Sequence, residues 1–352
     1  MDTIVENRVY LPTVEKVRVF LMAIAILYTY GIHPILGNIN GAVLSFVFPA
    51  LFIISGYLVL WEGPDPEKQI VNTIKRTALC FGIMAVVYFV MSYIVDPVTT
   101  LTALSSKRAW FDFVVLNVWP LPVGSIIWYV QSLLYAYIII FFLNKLKLLK
   151  FDIFIAGLCL VITLLVGELA SVVGFNFLWH GYIGGNFLTR ALPYILVGCF
   201  IGRKEYFFGE LDLIHYVGIA LVGSALSAGE YLLLYFTGNL IYVNHLFGMG
   251  VLAVAICIFA FYVEGMELSF EPFRVLTRAE IMIPFFVCSP IYAILVLILS
   301  SNETLASYFG GFIGIITLVL SFLVLLIYSC LRWVIMMIVF AIKGEETGEK
   351  TK

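Results

Sequence analysis

The sequence predicts an all-α integral membrane protein, and its composition and the length of its apolar runs lead to this prediction. Of the 352 residues, 62% are hydrophobic and 12% are charged, whereas an average soluble domain has roughly 45–50% apolar and about 25% charged residues. These proportions exclude a soluble globular protein. The apolar residues also form runs of about 20, the helix length that crosses a hydrocarbon core of ~30 Å.

Ten apolar runs, bounded by charges, Pro and Gly, are predicted as transmembrane helices. They cover residues 17–36, 41–61, 77–95, 124–144, 151–174, 186–202, 213–236, 241–263, 281–300 and 310–331. The sixth run is short and contains Arg190 and Pro193, so we expect it to be tilted or broken. The apolar segment after Arg332 is too short to cross again and is predicted to extend the last helix or to lie at the interface.

The basic residues fall mainly on one predicted side of the membrane. Seventeen lie on that side: Arg8, Lys16, Arg18, Lys68, Lys75, Arg76, Lys145, Lys147, Lys150, Arg203, Lys204, Arg274, Arg278, Arg332, Lys343, Lys350 and Lys352. The other side has Lys107, Arg108 and Arg190. Because cytoplasmic loops are enriched in Lys and Arg, both termini of this multi-pass cell-membrane protein are predicted to be cytoplasmic.

The domain organisation that follows is simple. Residues 1–342 are predicted to form a single polytopic membrane domain, and the polar segment 343–352 a disordered cytoplasmic tail. A net charge of −2 gives no sign of a nucleic-acid partner. The six cysteines stand alone in apolar stretches, so we interpret them as packing residues and expect neither a metal nor a disulfide framework.

Five ionisable residues are predicted to share one level near the outer side of the membrane. They are His33, Glu168, Arg190, Glu230 and His245, each from a different helix. Because such side chains cost several kcal/mol inside a membrane, they are candidates for function. They could line a cavity in which Arg190 pairs with Glu168 or Glu230, or each could face water at the headgroup level.

A second group of charges is predicted on the cytoplasmic side. Glu15 and Arg18 open the first span at i, i+3 spacing, and Lys75 and Arg76 open the third. Basic residues at helix starts could bind the phosphates of a coenzyme, with help from free backbone N–H groups. They could equally be topology determinants.

The longest predicted segment between spans, residues 96–123, lies on the outer side. It contains the sequence SSKRAWFDF and the Pro-rich sequence WPLPVG. Aromatic and basic residues beside a membrane cavity could cover a substrate. Alternatively, the segment could be an interfacial amphipathic helix.

Five segments along the chain resemble the bacterial membrane acyltransferase family 3, the ten-helix O-acyltransferases of cell-surface polysaccharides. They are EKVR (15–18), FPALFIISGYLVL (48–60), KR (75–76), IWYVQSLLYAYI (127–138) and RALPYILVGCFIGRK (190–204). The most specific of them is the SGYL element with its downstream KR pair.

The resemblance implies an O-acyltransferase that uses acyl-CoA and no metal. The donor would bind near Arg18, Ser55, Lys75 and Arg76, and a first-helix histidine would act as general base on an acceptor hydroxyl. The acceptor would be a cell-envelope glycan or a lipid-linked sugar. Trp128 and Tyr129 would provide aromatic walls, Glu168, Arg190, Glu230 and His245 would lie on the acceptor side, and membrane lipid would surround the protein.

The sequence departs from the family pattern at two histidines. Counting from Arg18 places Thr29 where the family has its first-helix histidine, and Leu295 stands where a Tyr-x-x-His motif would end. His33 lies four residues after Thr29, on the same face of a continuous helix and about 6 Å further along it. Either His33 acts as a displaced base, with Arg18 orienting it or binding donor phosphate, or the chemistry has been lost or changed. The alternative function is transport of a small polar solute or an acyl group, and a purely structural membrane scaffold is the third possibility.

Overall fold

The structure is a computed structural model that describes residues 12–32, 43–61, 65–165, 186–204, 208, 211–238, 246–264 and 282–349. Within these residues the regular secondary structure is entirely helical. The α-helices are α1 (Pro12–Tyr30), α2 (Val47–Trp61), α3 (Pro66–Val95), α4 (Pro97–Ser105), α5 (Lys107–Leu116), α6 (Ile127–Lys145), α7 (Asp152–Thr163), α8 (Phe187–Arg190), α9 (Leu192–Arg203), α10 (Leu213–Phe236), α11 (Phe247–Glu264), α12 (Ile283–Ser300), α13 (Glu303–Phe309) and α14 (Ile313–Glu349). Short 3-10 turns lie at Leu149–Phe151 and Gly310–Phe312.

Several of these helices suit a membrane, which confirms the predicted class of helical integral membrane protein. Among the described residues, five segments are long and apolar enough to cross a bilayer. They are Pro66–Val95, Ile127–Lys145, Leu213–Phe236, Ile283–Ser300 and Glu303–Ile335. Two shorter apolar helices, Val47–Leu60 and Phe247–Phe261, are also present.

The helix α3 begins eleven residues earlier than the predicted third span. Asp65 caps its first turn by accepting a hydrogen bond from the backbone N–H of Lys68 at 3.2 Å, and Pro66 is the first helical residue. Both residue types favour a helix start at these positions. Lys75 and Arg76 therefore lie in the third turn of α3, and the prediction that they open this helix is wrong.

The predicted break in the sixth run is confirmed. The four-residue α8 ends at Arg190, Ala191 lies in a turn, and α9 starts at Leu192 with Pro193 in its first turn. Because proline cannot donate a backbone hydrogen bond, it is tolerated where a helix begins. The interruption leaves Arg190 at the end of a short turn of helix.

The helix α2 lies at the centre of the molecule. All of its residues from Val47 to Val59 are buried, as expected for a helix that is apolar all round and packed on several sides. It packs most extensively against α9 and also contacts α1, α3 and α11. A β-carbon added to Gly56 would lie 2.0 Å from the carbonyl oxygen of Ile195, so the α2 and α9 backbones touch at this crossing.

The last helix continues beyond the predicted span. α14 runs from Ile313 through Glu349, so the apolar segment after Arg332 extends the helix, as predicted. The helix also continues into residues 343–352, for which the sequence predicts a disordered tail. Near its start, Gly314 packs against the carbonyl oxygen of Gly31, which joins α14 to the end of α1.

Candidate functional site

An ion pair lies near the start of α1. Nη1 of Arg18 is 3.4 Å from Oε2 of Glu15, and the side chains are only 13% and 3% exposed. The i, i+3 spacing places both on one face of the helix, as the sequence predicts. Since an unpaired charge in an apolar interior is strongly unfavourable, Glu15 stabilises the guanidinium where it stands.

Arg18 belongs to a larger polar group that we call the proximal cluster: Glu15, Arg18, Ser55, Tyr129 and Tyr137. The Ser55 hydroxyl donates to the carbonyl of Leu51 at 2.7 Å and lies 3.5 Å from the hydroxyl of Tyr129. The Tyr137 hydroxyl also interacts with Ser55, and both tyrosine hydroxyls interact electrostatically with Arg18. Three helices, α1, α2 and α6, thus bring a cation and three hydroxyls together in the core.

The aromatic wall beside this cluster is formed by α2 and α6. The ring of Trp128 lies 4.7 Å from that of Phe48 and 6.3 Å from that of Phe52, measured between ring centroids. Tyr129 packs on the same two rings and on Phe285 of α12. Trp128 and Tyr129 therefore form a continuous aromatic layer, whereas their role as walls of a substrate site stays a prediction.

Lys75 and Arg76, the other two predicted donor-site residues, lie on the surface and apart from the proximal cluster. Lys75 and Arg76 are both exposed on α3. The structure brings Arg18 and Ser55 together in the proximal cluster and places this pair of basic residues outside it.

A second polar group, which we call the distal cluster, lies at the other end of α1. It consists of Tyr30, Tyr88, Ser125 and Ser289. The hydroxyls of Tyr30 and Ser289 are 2.6 Å apart, and Tyr88 donates to the carbonyl of Phe285 at 3.0 Å. Ser125, which is exposed, interacts with the Tyr30 hydroxyl. The cluster joins α1, α3 and α12 to the segment before α6.

The two residues that stand where the resemblance predicts histidines flank the distal cluster. Thr29 precedes Tyr30, and its hydroxyl donates to the carbonyl of Ala25 at 2.8 Å. Leu295 lies three residues after Tyr292, whose ring stacks on Tyr30 with centroids 4.4 Å apart. The two positions at which the resemblance predicts histidines therefore lie beside a pair of stacked tyrosines.

The placement of His33 on the face of a continuous helix is wrong, because α1 ends at Tyr30. Gly31 follows with a left-handed φ of +81°, a common way to terminate a helix. The helical rise therefore does not relate His33 to Thr29. His33 itself lies outside the described residues, and its role as base stays a prediction.

The outer charges are only partly described. The carboxylate of Glu230 accepts hydrogen bonds from the backbone N–H groups of Phe247 and Gly248, the latter at 3.0 Å, and so caps the first turn of α11. Arg190 is half-buried at the end of α8. Glu168 and His245 lie outside the described residues, so the predicted pairing of Arg190 with Glu168 stays a prediction.

The sequence prediction missed three polar residues of the interior: Tyr137, Asn117 and Gln131. The amide oxygens of Asn117 and Gln131 are buried and accept no hydrogen bond, whereas their amide nitrogens donate to backbone carbonyls and to hydroxyls. A Gln inside an apolar run is a signal that could have identified one of them, because a buried polar group needs a partner. Within the described residues, no group of three or more His, Cys, Asp or Glu side chains could hold a metal ion.

The fold and the two clusters define a class of protein: a helical membrane protein in which several helices bring together a partly buried cation, hydroxyl groups and aromatic rings. The sequence matches the family model described as an acyltransferase domain over residues 18–326. Because this match covers most of the chain, the protein belongs to the membrane acyltransferase family 3, which confirms the resemblance seen in the sequence. No curated protein and no solved structure matches the sequence.

Proposed function

We propose that the protein is an O-acyltransferase that moves an acetyl or other short acyl group from acyl-CoA to a hydroxyl of a cell-envelope glycan or a lipid-linked sugar. The observation that carries this proposal is the proximal cluster, in which Arg18 is held by Glu15 beside three hydroxyls. A fixed cation with neighbouring O–H donors can orient an anionic donor or stabilise negative charge that develops on an acyl oxygen.

The proposal includes an orientation in the membrane. Ten spans with both termini in the cytoplasm would place the start of α1, and with it Arg18, on the side where acyl-CoA is found. Lys75 and Arg76, exposed on α3, would then attract the coenzyme phosphates from the cytoplasm. The uneven distribution of Lys and Arg supports this orientation.

The acceptor would approach from the other end of α1, near the distal cluster. Glu168, Arg190, Glu230 and His245 are the proposed acceptor-side residues, with Trp128 as an aromatic wall. His33 is the candidate base that takes the proton of the acceptor hydroxyl. A C–O bond forms to the acyl carbon, the C–S bond of the thioester breaks, and the coenzyme leaves as a thiolate that can accept a proton.

The deciding experiment is acyl analysis of surface polysaccharide in cells that carry or lack the gene. Complementation with Arg18→Gln is expected to reduce acylation at least tenfold, whereas the matched control Lys145→Gln, an exposed basic residue outside the cluster, is expected to restore it. Unchanged acylation on deletion of the gene would overturn the enzyme proposal. Loss on deletion but full activity in His33→Ala would retain the enzyme and reject this base.

A second candidate function, transport of a small polar solute or an acyl group, is favoured by one observation. Thr29 stands where the resemblance predicts a histidine, and its hydroxyl, which donates to a carbonyl of its own helix, is too weakly basic to replace an imidazole. A transporter would move its solute across the membrane of a vesicle without consuming acyl-CoA. Purified protein that transports solute but cleaves no thioester in the presence of acceptor would select this function.

A further inference from the structure

The short helix α5 is held to the rest of the molecule by one face. Its residue Phe113 packs against Phe81 of α3 and against Trp119, with ring centroids 6.1 and 5.3 Å apart. Two α6 side chains bond the last turn of α5: Gln131 donates to the carbonyl of Phe113 at 2.7 Å, and Tyr135 donates to the carbonyl of Val114 at 2.9 Å. Because these carbonyls have no partner within the helix, the two bonds fix its end.

The start of α5 is fixed as well. The Ser106 side chain caps the helix by accepting a hydrogen bond from the N–H of Ala109. The indole N–H of Trp110 donates across the corner to the carbonyl of Leu104, the next-to-last residue of α4, at 2.8 Å. A helix bonded at both ends is part of the framework, which argues against a lid that opens and closes over a substrate.

The opposite face of α5 is apolar and exposed. It carries five large hydrophobic side chains that are 42% to 54% exposed: Trp110, Phe111, Val114, Val115 and Val118, the last just beyond the helix end. Their spacing places them along one side of the helix, next to one another. Since water solvates such a patch poorly, the patch marks a contact with lipid or with another protein.

The charges at the start of this face favour lipid. Lys107 and Arg108 open the helix, and the Arg108 side chain is 79% exposed although it also pairs with Asp112 at 3.8 Å. A helix of ten residues is about 15 Å long and cannot cross a bilayer. Basic residues beside an aromatic and aliphatic face are typical of helices that lie in the membrane interface.

The exposed face also continues onto a helix that is long enough to cross the membrane. α5 follows the end of α3 through α4, and α3 exposes the apolar side chains of Val86, Val90 and Ile94 toward that end. The same bilayer that surrounds α3 therefore reaches the level of α5.

We propose that the exposed face of α5 inserts into the bilayer interface and that Lys107 and Arg108 bind the phosphates of anionic phospholipids there. Binding of this kind anchors the segment between α3 and α6 at a fixed depth. The proposal is independent of the acyl transfer proposed above, because it needs only the surface of α5 and no catalytic residue.

Fluorescence quenching of the full-length protein in vesicles tests the depth of α5. The fluorescence of Trp110 is obtained as the difference in emission between the wild type and Trp110→Phe. Phospholipids that are brominated near the headgroup are expected to quench at least half of this fluorescence. The matched control is Trp119→Phe, since that indole is partly buried and bonded to the carbonyl of Val123 at 2.7 Å. Its difference signal should be quenched at most half as strongly.

A second pair of variants tests the phosphate contact. Trp110 quenching is expected to be at least twofold stronger with phosphatidylglycerol than with pure phosphatidylcholine, and Lys107→Gln with Arg108→Gln should abolish this difference. The control variant Lys145→Gln with Lys150→Gln removes the same amount of charge elsewhere on the protein and should preserve the difference between the two lipids.

Three results would overturn the proposal. Quenching of Trp110 by aqueous iodide but not by bromolipid would show a water-facing surface. A Trp110 signal that depends on the protein-to-lipid ratio would show contact with a second copy of the chain. Equal quenching of wild type in the two lipids would reject the bound phosphate.

Discussion

At the scale of single residues, the most informative feature is that ionisable side chains in the interior have identifiable partners. Arg18 lies against Glu15, and Glu230 accepts from the first N–H groups of α11. A carboxylate at a helix N-terminus also interacts favourably with the helix dipole. The role of Glu230 that the structure explains directly is therefore to hold α10 to α11, whereas its role toward an acceptor is a proposal.

Glu230 offers a test that separates these two roles. Glu230→Ala removes the acceptor of the α11 N–H groups and is expected to lower the free energy of unfolding by about 1 kcal/mol. Glu230→Gln keeps one carbonyl oxygen as an acceptor and should therefore lose less stability. Thermal unfolding in detergent measures both variants. Ser224→Ala, on an exposed turn of the same helix, is the control.

If both Glu230 variants unfold like the wild type while acylation of the surface polysaccharide falls, the capping role would be contradicted. That result would favour the acceptor role.

The second prediction at this scale concerns the hydrogen bond between the hydroxyls of Tyr30 and Ser289. They are separated by 259 positions in the sequence but only 2.6 Å in space. In a double-mutant cycle with Tyr30→Phe and Ser289→Ala, we expect a coupling energy of about 1 kcal/mol. Thermal unfolding of the four proteins measures it, with Tyr93→Phe on exposed α3 surface as control. A coupling near zero would mean that the bond contributes nothing to stability.

At the scale of helices, the crossing of α2 and α9 depends on the absence of two side chains. A β-carbon at Gly198 would lie 2.0 Å from the carbonyl oxygen of Ile53, just as one at Gly56 would meet Ile195. Small residues allow close approach of membrane helices, which then gain dispersion contacts along their length. This crossing is the contact that places Ser55 in the core.

Gly198→Ala is therefore expected to force the two helices apart and to lower the free energy of unfolding by about 1–3 kcal/mol. The matched control is Gly202→Ala, one turn further along the same helix, where the nearest atom would be 3.5 Å away. Thermal unfolding in detergent compares the two. Equal stability of both variants would contradict the close crossing.

The corner between α3 and α4 gives a prediction about pH. The hydroxyl and the N–H of Thr99 donate to the Asp96 carboxylate at 2.6 and 2.9 Å and hold the pKa of that group below its usual value. The stabilisation is therefore complete above the unfolded pKa of about 3.9 and is lost as the pH falls through the lower folded pKa.

Hydrogen exchange of the first α4 amides measures this effect. Corrected for intrinsic rates, protection should fall on acidification in the wild type. Asp96→Asn, which keeps an acceptor oxygen but does not titrate, should show no such step. A step of equal size in the variant would assign the effect to another group.

The helices show which parts of the structure could be predicted from sequence. The helical membrane class and the bounds of α10 could be predicted, because length and hydropathy are local properties, whereas the number of spans stays a prediction. The early start of α3 depends on the cap at Asp65, a short-range signal that a hydropathy window does not register. The end of α1 was missed because Gly31 interrupts an apolar run without changing its hydropathy.

The site was less predictable than the helices. Arg18 and Ser55 could be proposed because they lie in recognisable segments of the family. Tyr137 and Ser289 acquire their roles only through contacts with distant parts of the chain, and one sequence contains no record of these contacts.

At the scale of the whole molecule, one ion pair joins two elements that are far apart in sequence. Arg203, at the end of α9, pairs with Asp152, the first residue of α7, whose side chain is fully buried. Removing one partner of a buried pair leaves an uncompensated charge, which is strongly destabilising. Because the Arg203 side chain is 34% exposed, the two partners should respond differently to substitution.

Arg203→Ala is expected to destabilise the protein by about 1–3 kcal/mol, since it leaves a buried carboxylate without its partner. Asp152→Ala should cost less, because water can still reach the guanidinium that remains. The double variant should lie close to Asp152→Ala. Unfolding of the three variants in detergent measures this order, and a larger loss for Asp152→Ala than for Arg203→Ala would contradict it.

The contact between α2 and α9 has a further consequence for how the chain is made. Gly56 and Cys199, whose thiol donates to the Gly56 carbonyl at 3.5 Å, are 143 residues apart. During synthesis α2 therefore leaves the ribosome long before its main partner exists. Until α9 is inserted, α2, which carries Ser55, must be held by the translocon, by lipid or by a chaperone. Every shorter nascent chain therefore lacks this part of the site.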